Sequence, residues 1–246
     1  MQSRASSGGW ARQPLETTVL VSDQITPSTR RIILKKPDGF SFLPVQFTFL
    51  TLKTDEGPDA RPMSIATSPT RPNLEYAVRV GESPFKRAFA SLQPGDSVVV
   101  QGPFGHFILN EERPAVLLAG GIGITPLKGM AEYAADKALP NPVRLVYSNR
   151  SEDEIAYRAE LYELERRNTN FRVIHTLTGP KVPKGWKGSV GRIDAKMIRD
   201  STKDLKSPIY YICGTYGMVG AMVGLLSEVG IADEDIVEEV FRGYSS

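Results

Sequence analysis

At 246 residues, the chain has room for one large domain or two ordinary ones. Its 41% hydrophobic and 24% charged residues fit a soluble globular protein, and a net charge of +2 singles out neither nucleic acid nor an anionic membrane as main partner. No apolar run is long enough to span a bilayer, and the single cysteine, Cys213, excludes an internal disulfide and fits a reducing, cytoplasmic setting.

The first stretch, "MQSRASSGGWARQP", lacks the apolar core of a secretory signal and reads as a loose tail over residues 1–13. Six short strands follow: "ETTVLVS", "TRRIILKK", "QFTFLTL", "PMSIAT", "LEYAVRV" and "DSVVVQG". They are β-branched or alternating, and Pro, Gly, Asp and Ser separate them. One helix, "SPFKRAFASL", falls among them, with Phe85, Phe89 and Leu92 on one face and Ser83 and Pro84 as cap and first residue. Six strands with one helix predict a small antiparallel barrel over residues 14–111. From residue 112 the rhythm changes. "AVLLAG", "VRLVYS", "FRVIHTL", "IYYICG" and "IVEEVF" read as strands. Between them stand helices "PLKGMAEYAADKA", "YRAELYELERR", "DAKMIRD" and "GMVGAMVGLLSEVG". That alternation predicts a second domain over 112–246, a Rossmann-like parallel sheet with helical crossovers.

The loop after the first strand of that domain, Gly120-Gly121-Ile122-Gly123-Ile124-Thr125-Pro126, lies where a doubly wound fold brings sheet edge, helix N-terminus and ligand together. Gly121 can take backbone angles closed to other residues, and Gly123 lets the chain approach a pyrophosphate. Thr125 can cap the helix or donate to a ligand amide, and Pro126 suits the first helical turn. Because Pro126 stands where the usual G-x-G-x-x-G fingerprint has its third glycine, the alternative is a tight turn with no ligand.

Four further stretches surround this loop in order: "RPMS" (61–64), "GPFG" (102–105), "CGTYGM" (213–218) and "EEVF" (238–241). Together the five resemble the ferredoxin–NADP reductase superfamily, whose pattern R-x-Y-S, G-P-x-G, G-G-x-G-x-T-P, C-G-x-x-x-M and C-terminal aromatic they match over about residues 15 to 244. The resemblance implies a flavin-binding barrel followed by a nicotinamide-binding domain. It also makes Pro126 the family's own residue. Met63 is the departure, standing where the family has a tyrosine against the isoalloxazine ring.

The resemblance implies that Arg61 neutralises the flavin pyrophosphate, with help from Ser83, the first turn of its helix and Lys86. Pro62, Met63, Val78, Val80, Gly102 and Gly105 would complete the flavin surroundings. Ser64 is expected near flavin N5, and Cys213 with Gly214 beside the hydride-donating carbon, Met218 packing under the loop. Glu239 would be the active-site carboxylate, and Phe241 or Tyr244 the aromatic shielding the flavin. Ser64, Cys213 and Glu239 are thus the catalytic candidates; Gly121, Gly123, Thr125, Pro126 and Arg150 would serve the dinucleotide. Read as residues alone, Arg61 is equally a surface ion pair, Ser64 a strand serine bonded to its own backbone, Cys213 a small buried side chain and Phe241 a core residue. FAD is the expected flavin, with FMN as the alternative.

NADP-preferring relatives carry a Ser-Arg pair after the strand equivalent to "FRVIHTL"; Thr178 and Gly179 stand there here. "GWKG" (185–188) resembles the loop of NADH-using cytochrome b5 reductase relatives, so NADH is expected, although Arg150, Lys181 and Lys184 are cations that could serve a 2′-phosphate. One cysteine and two histidines cannot build an iron–sulfur cluster or a four-ligand zinc site, so no metal is expected. The reading is therefore a reductase passing hydride from NAD(P)H to FAD and single electrons to a separate carrier, such as a ferredoxin, flavodoxin or cytochrome, or to a small oxidant. Two alternatives are a reductase component of an oxygenase or other multi-component complex, and a nucleotide sensor without catalysis.

Overall fold

In the computed structural model, which describes residues 13–241, the chain builds two six-stranded sheets. Tyr244 and the expected N-terminal tail, but for Gln13, lie outside the described residues. The first sheet comprises β1 (Leu15–Thr26), β2 (Thr29–Lys35), β3 (Phe47–Thr54), β4 (Gly57–Ser64), β5 (Asn73–Arg79) and β6 (Ser97–Phe104). Its order is β4-β3-β6-β1-β2-β5, with every pairing antiparallel. The expected barrel is thus barrel-like but open, since its end strands β4 and β5 do not pair with each other. Alternation drives the inward face. In β3, Thr48, Leu50 and Leu52 are buried while Phe47, Phe49 and Thr51 face outward, half-buried. Helix α1 (Pro84–Ser91) closes the inner side with Phe85 and Phe89, which join Leu50, Val100, Ile32 and Tyr76 in one core.

The second sheet comprises β7 (Ala115–Gly120), β8 (Val143–Asn149), β9 (Phe171–Leu177), the short β10 (Ser189–Val190), β11 (Ile209–Thr215) and β12 (Ile236–Phe241). Its order is β10-β9-β8-β7-β11-β12, and all strands are parallel. The crossovers are α2 (Ile124–Asp136), α3 (Arg158–Arg167), α4 (Ala195–Thr202) and α5 (Tyr216–Glu228). Ala115 to Ala119 are all buried, as expected of a central strand covered on both faces. Residues of α2 and α3 pack with Leu117, Leu145 and Phe171 on one face. Those of α4 and α5 pack with Val116, Val146 and Tyr210 on the other. From β7 the chain winds outward through β8, β9 and β10, then returns to β11 on the opposite side. The strand order therefore reverses between β7 and β11, where open α/β sheets bind ligands.

Several elements differ from their sequence reading, β1 among them, which runs past the expected Ser22 to Thr26. β4 starts at Gly57 and ends at Ser64, whereas "PMSIAT" placed that strand over 62–67. A hairpin pairs Thr54 with Gly57, and Pro58 and Pro62 are tolerated because β4 is an edge strand. α2 begins at Ile124, two residues before Pro126. β10, two residues long, carries too little periodicity to be read in advance.

Helix α4 shows how local chemistry sets an element's start. Asp194 caps it by accepting from the Met197 N–H at 2.8 Å, and Ile198 turns inward. Asp194→Ala should therefore lower stability by about 1 kcal/mol, measurable as a shift in urea midpoint at unchanged slope.

A buried charge network joins the sheets. Lys128 of α2, 5% exposed, reaches Glu75 of β5 at 3.3 Å and Glu132 at 3.7 Å. Glu132 accepts the Ser68 N–H at 2.9 Å and pairs with Arg71 at 3.0 Å. Arg31 of β2 pairs with Glu160 of α3 at 3.2 Å. Gly129 lets α2 lie close to the carbonyls of Ile65 and Thr67, just beyond β4. These contacts fix the end of β4 against the second sheet.

Candidate active site between the two sheets

At the switch point, β7 ends in Gly120 and a 3₁₀ turn over Gly121–Gly123 leads into α2. Gly121 takes φ of +51°, a conformation that favours glycine, and its carbonyl accepts from the Tyr147 hydroxyl at 3.0 Å. Gly123 meets a different demand from the expected one. A Cβ there would stand 2.2 Å from the Cys213 carbonyl oxygen, so glycine is required by the close approach of the β11 backbone. Thr125 does not cap α2; its hydroxyl donates to the Ile122 carbonyl at 3.1 Å, and Gly123 holds the cap position without a side-chain bond. Pro126 is the third helical residue, where its missing N–H has no helical acceptor to lose. Met218 of α5 lies against Gly120 and Gly214, its sulfur 3.2 Å and 2.7 Å from where their Cβ atoms would be.

β11 and β12 run side by side in register, Cys213 beside Glu239 and Thr215 beside Phe241. Cys213 is fully buried, and burial, reinforced by the Glu239 carboxylate, pushes its thiol well above the usual range. It is therefore a neutral thiol and no nucleophile. Burial also raises Glu239, to about 7, against the opposing effect of the nearby Ser64 hydroxyl. The buried carboxyl oxygen Oε2 of Glu239 has no hydrogen-bond partner among the described residues. Ser64 ends β4, 9% exposed and opposite Phe47. Its hydroxyl lies close enough to Glu239, across the sheets, to favour the carboxylate. Ser64, Cys213 and Glu239 thus converge from three strands of two sheets.

Around Ser64, the rings of Phe47, Phe49 and Phe104 form a triad with centroids 5.7 to 5.9 Å apart. Gly105 lies against it, with the Phe47 ring 3.1 Å from where a Cβ would be, and Gly102 lies against the Phe47 carbonyl oxygen and Thr48, both also at 3.1 Å. The sequence reading passed over Phe47 and Phe49, although two aromatics two apart in a strand must share a face. It also passed over Tyr216, 82% exposed at the start of α5, and over Asn149, whose buried Nδ2 has no partner among the described residues.

The remaining candidates are more dispersed. Arg61 forks onto Asp59, Nε to Oδ1 and Nη2 to Oδ2 both at 2.8 Å, as the ion-pair alternative had it. Pro62 is exposed, and Met63 and Val78 pack against the core of the first sheet. Val80 is exposed beyond β5 and its N–H donates to the Ser28 carbonyl. Ser83 caps α1 by accepting from the Lys86 N–H at 3.4 Å, and the Lys86 side chain folds over Gly81. Arg150 follows β8, exposed, its carbonyl accepting the Gly179 N–H at 2.8 Å. Phe241 ends β12, packed partly on the α2–α3 core.

Residues 117–223 match the model of the oxidoreductase NAD-binding domain. One component of the Na(+)-translocating NADH-quinone reductase of Yersinia pestis is 30% identical over 158 residues, 62% of this chain and 39% of the relative. The chain therefore spans about two fifths of the length of the curated relatives it matches. Among solved structures, the Amycolatopsis cytochrome P450 reductase superposes with a TM-score of 0.81 at 25% identity, covering 99% of this chain and 74% of that one. A ferredoxin NADP+ reductase from Neisseria gonorrhoeae, with bound FAD and NADP, superposes with a TM-score of 0.80 at 22% identity, covering 92% and 98%. No helix among the described residues is long and apolar enough to cross a membrane.

Proposed function

We propose that the chain, whose residues 117–223 match the oxidoreductase NAD-binding domain, is a ferredoxin–NADP reductase-like oxidoreductase that passes hydride from NADH to a bound FAD and single electrons to a separate acceptor. The observation that carries this reading is the meeting of Ser64 and Glu239 beside Cys213. It joins the first sheet to the carboxyl edge of the second, next to the switch point. A flavin fits the residues present. The phenylalanine triad beside Ser64 offers an aromatic surface, and Glu239 Oε2 is a buried acceptor still without a partner among the described residues. When bound, the flavin supplies the link between two-electron and one-electron chemistry.

The chain's own residues would bind, orient and move a proton. Arg61 would exchange Asp59 for the pyrophosphate, a bidentate match for its planar fork, with the capped start of α1 alongside. Cys213, small and neutral, would let the nicotinamide lie against β11. Phe241 would exclude water until the dinucleotide displaces it. Ser64 Oγ and the Glu239 carboxyl would hold one proton between them. Below about pH 7 Glu239 is neutral and can donate; above it, the carboxylate can accept from the Ser64 hydroxyl.

The preference for NADH rests on Gly179. A Cβ at that position would stand 2.3 Å from the Arg150 carbonyl oxygen, so the turn has no room for the arginine that NADP-preferring relatives place there. A 2′-phosphate would then lack its usual cation.

Acceptor reduction should rise with pH through a single ionisation near 7, as Glu239 becomes able to accept a proton. The profile should be flat in Glu239→Gln. Steady-state rates with ferricyanide from about pH 5.5 to about pH 8.5 test this, and an unchanged inflection in the variant would remove Glu239 from the relay. The match to part of a quinone reductase component supports a second reading, in which the chain serves as the reductase module of a larger assembly. A fixed partner co-purifying with the protein would support it.

A further inference from the structure

A cleft of about 570 Å³ opens beneath α3 at the edge of the second sheet, where the segment after β9 folds back. Its walls are the rings of Tyr162, His175 and Trp186, with His175 edge-on to Tyr162 at 5.6 Å and 6.4 Å from Trp186 between centroids. The Arg158 guanidinium lies 5.7 Å from the centres of both the Tyr162 and Trp186 rings and is paired with Glu152 at 2.5 Å. Lys187 also lines the cleft.

His175 is only 5% exposed, yet neither of its ring nitrogens has a hydrogen-bond partner among the described residues, and Arg158 Nε has none either. Burial, and then the Arg158 charge, hold the imidazole down to about 4. At neutral pH it therefore presents one N–H donor and one bare nitrogen acceptor. Leaving such groups unpaired is costly, and a ligand with matching polar atoms would recover that loss. The Arg158–Glu152 pair is balanced and the further cation, Lys187, is exposed to water, so the cleft does not call for a strongly charged partner. Aromatic walls with few polar groups are typical of small-molecule sites of this size.

We propose that this cleft binds a neutral planar heteroaromatic ring of the nucleobase class, packed on Tyr162 and Trp186 and hydrogen-bonded through His175. The cleft stands off the switch point but near the turn at Thr178 and Gly179, so its ligand must be told apart from the dinucleotide's adenosine end. β9 stands two strands, roughly 10 Å, from β7. His175 lies on the α3 side of its strand, together with Phe171 and Val173 of the same core face. None of these groups is needed for the hydride chemistry, so the inference stands apart from that reading.

The chain has two histidines, and His106 provides an internal reference. Imidazole ¹⁵N resonances of the flavin-loaded protein would be followed during titration with adenosine, with and without saturating NAD+. The expected result is a saturable shift of the His175 nitrogens, none at His106, persisting under NAD+. Tyr162→Ala should weaken adenosine about tenfold, the size of one lost ring contact. A His175 resonance that stays fixed to millimolar adenosine would overturn the proposal. So would a shift abolished by NAD+, which would assign the cleft to the dinucleotide's own adenine.

Discussion

Replacing Gly123 with alanine is expected to lower stability by about 3–5 kcal/mol. The added Cβ would stand 2.2 Å from the Cys213 oxygen, 2.6 Å from its carbonyl carbon and 2.9 Å from the Gly214 Cα. All three are backbone atoms of a central parallel strand, so no flexible side chain can move aside. The loop or β11 must shift, and β11 is hydrogen-bonded on both sides, to β7 and β12. For a chain of this size the melting temperature should fall by roughly 10 °C or more. Gly121→Ala is the informative control. Its φ of +51° strains alanine, but nothing lies within 4 Å of the new atom, so its cost should be only about 1–2 kcal/mol. Equal losses at the two positions would mean that the close approach at Gly123 is unimportant.

The second large effect concerns the relay. Ser64→Ala removes the hydroxyl that approaches Glu239 from the first sheet and favours its carboxylate. Acceptor-linked turnover should fall about 10²-fold, the lower end of what a positioned proton-transfer group contributes. The KM for NADH should hardly change, because the hydroxyl would act on proton movement and not on dinucleotide binding. Ser64→Thr keeps the hydroxyl and should recover most of the rate. A Ser64→Ala variant with full turnover would show that the Ser64–Glu239 contact only ties the sheets together.

Much of this architecture is legible in the sequence. Alternation in "TRRIILK" and "FTFLTLK" marks outward and inward faces. The switch from short strands to strand–helix alternation after residue 110 marks the change from antiparallel to parallel pairing. Where the reading differs from the structure, longer-range physics intervenes. The Pro-rich start of β4 looks unlike a strand until it is known to be an edge, where a missing N–H costs nothing. The sequence also cannot show that β11, about ninety residues later, lies against Gly123. The meeting of Ser64, Cys213 and Glu239 is expected only through family resemblance. No spacing links residues 64, 213 and 239. Their contact comes from the register of β11 on β12 and from α2 seated on the segment after β4. The aromatic cleft around His175 is likewise hidden, since Tyr162, His175 and Trp186 come from a helix, a strand and a loop.

The central claim is hydride transfer from NADH to a bound flavin. The most direct measurement is to load the purified protein with FAD, mix it anaerobically with NADH or NADPH in a stopped-flow instrument, and follow the flavin absorbance. Rapid bleaching by NADH, with a much slower response to NADPH, is the expected result. A protein that takes up no flavin, or a bound flavin that neither dinucleotide bleaches, would contradict it.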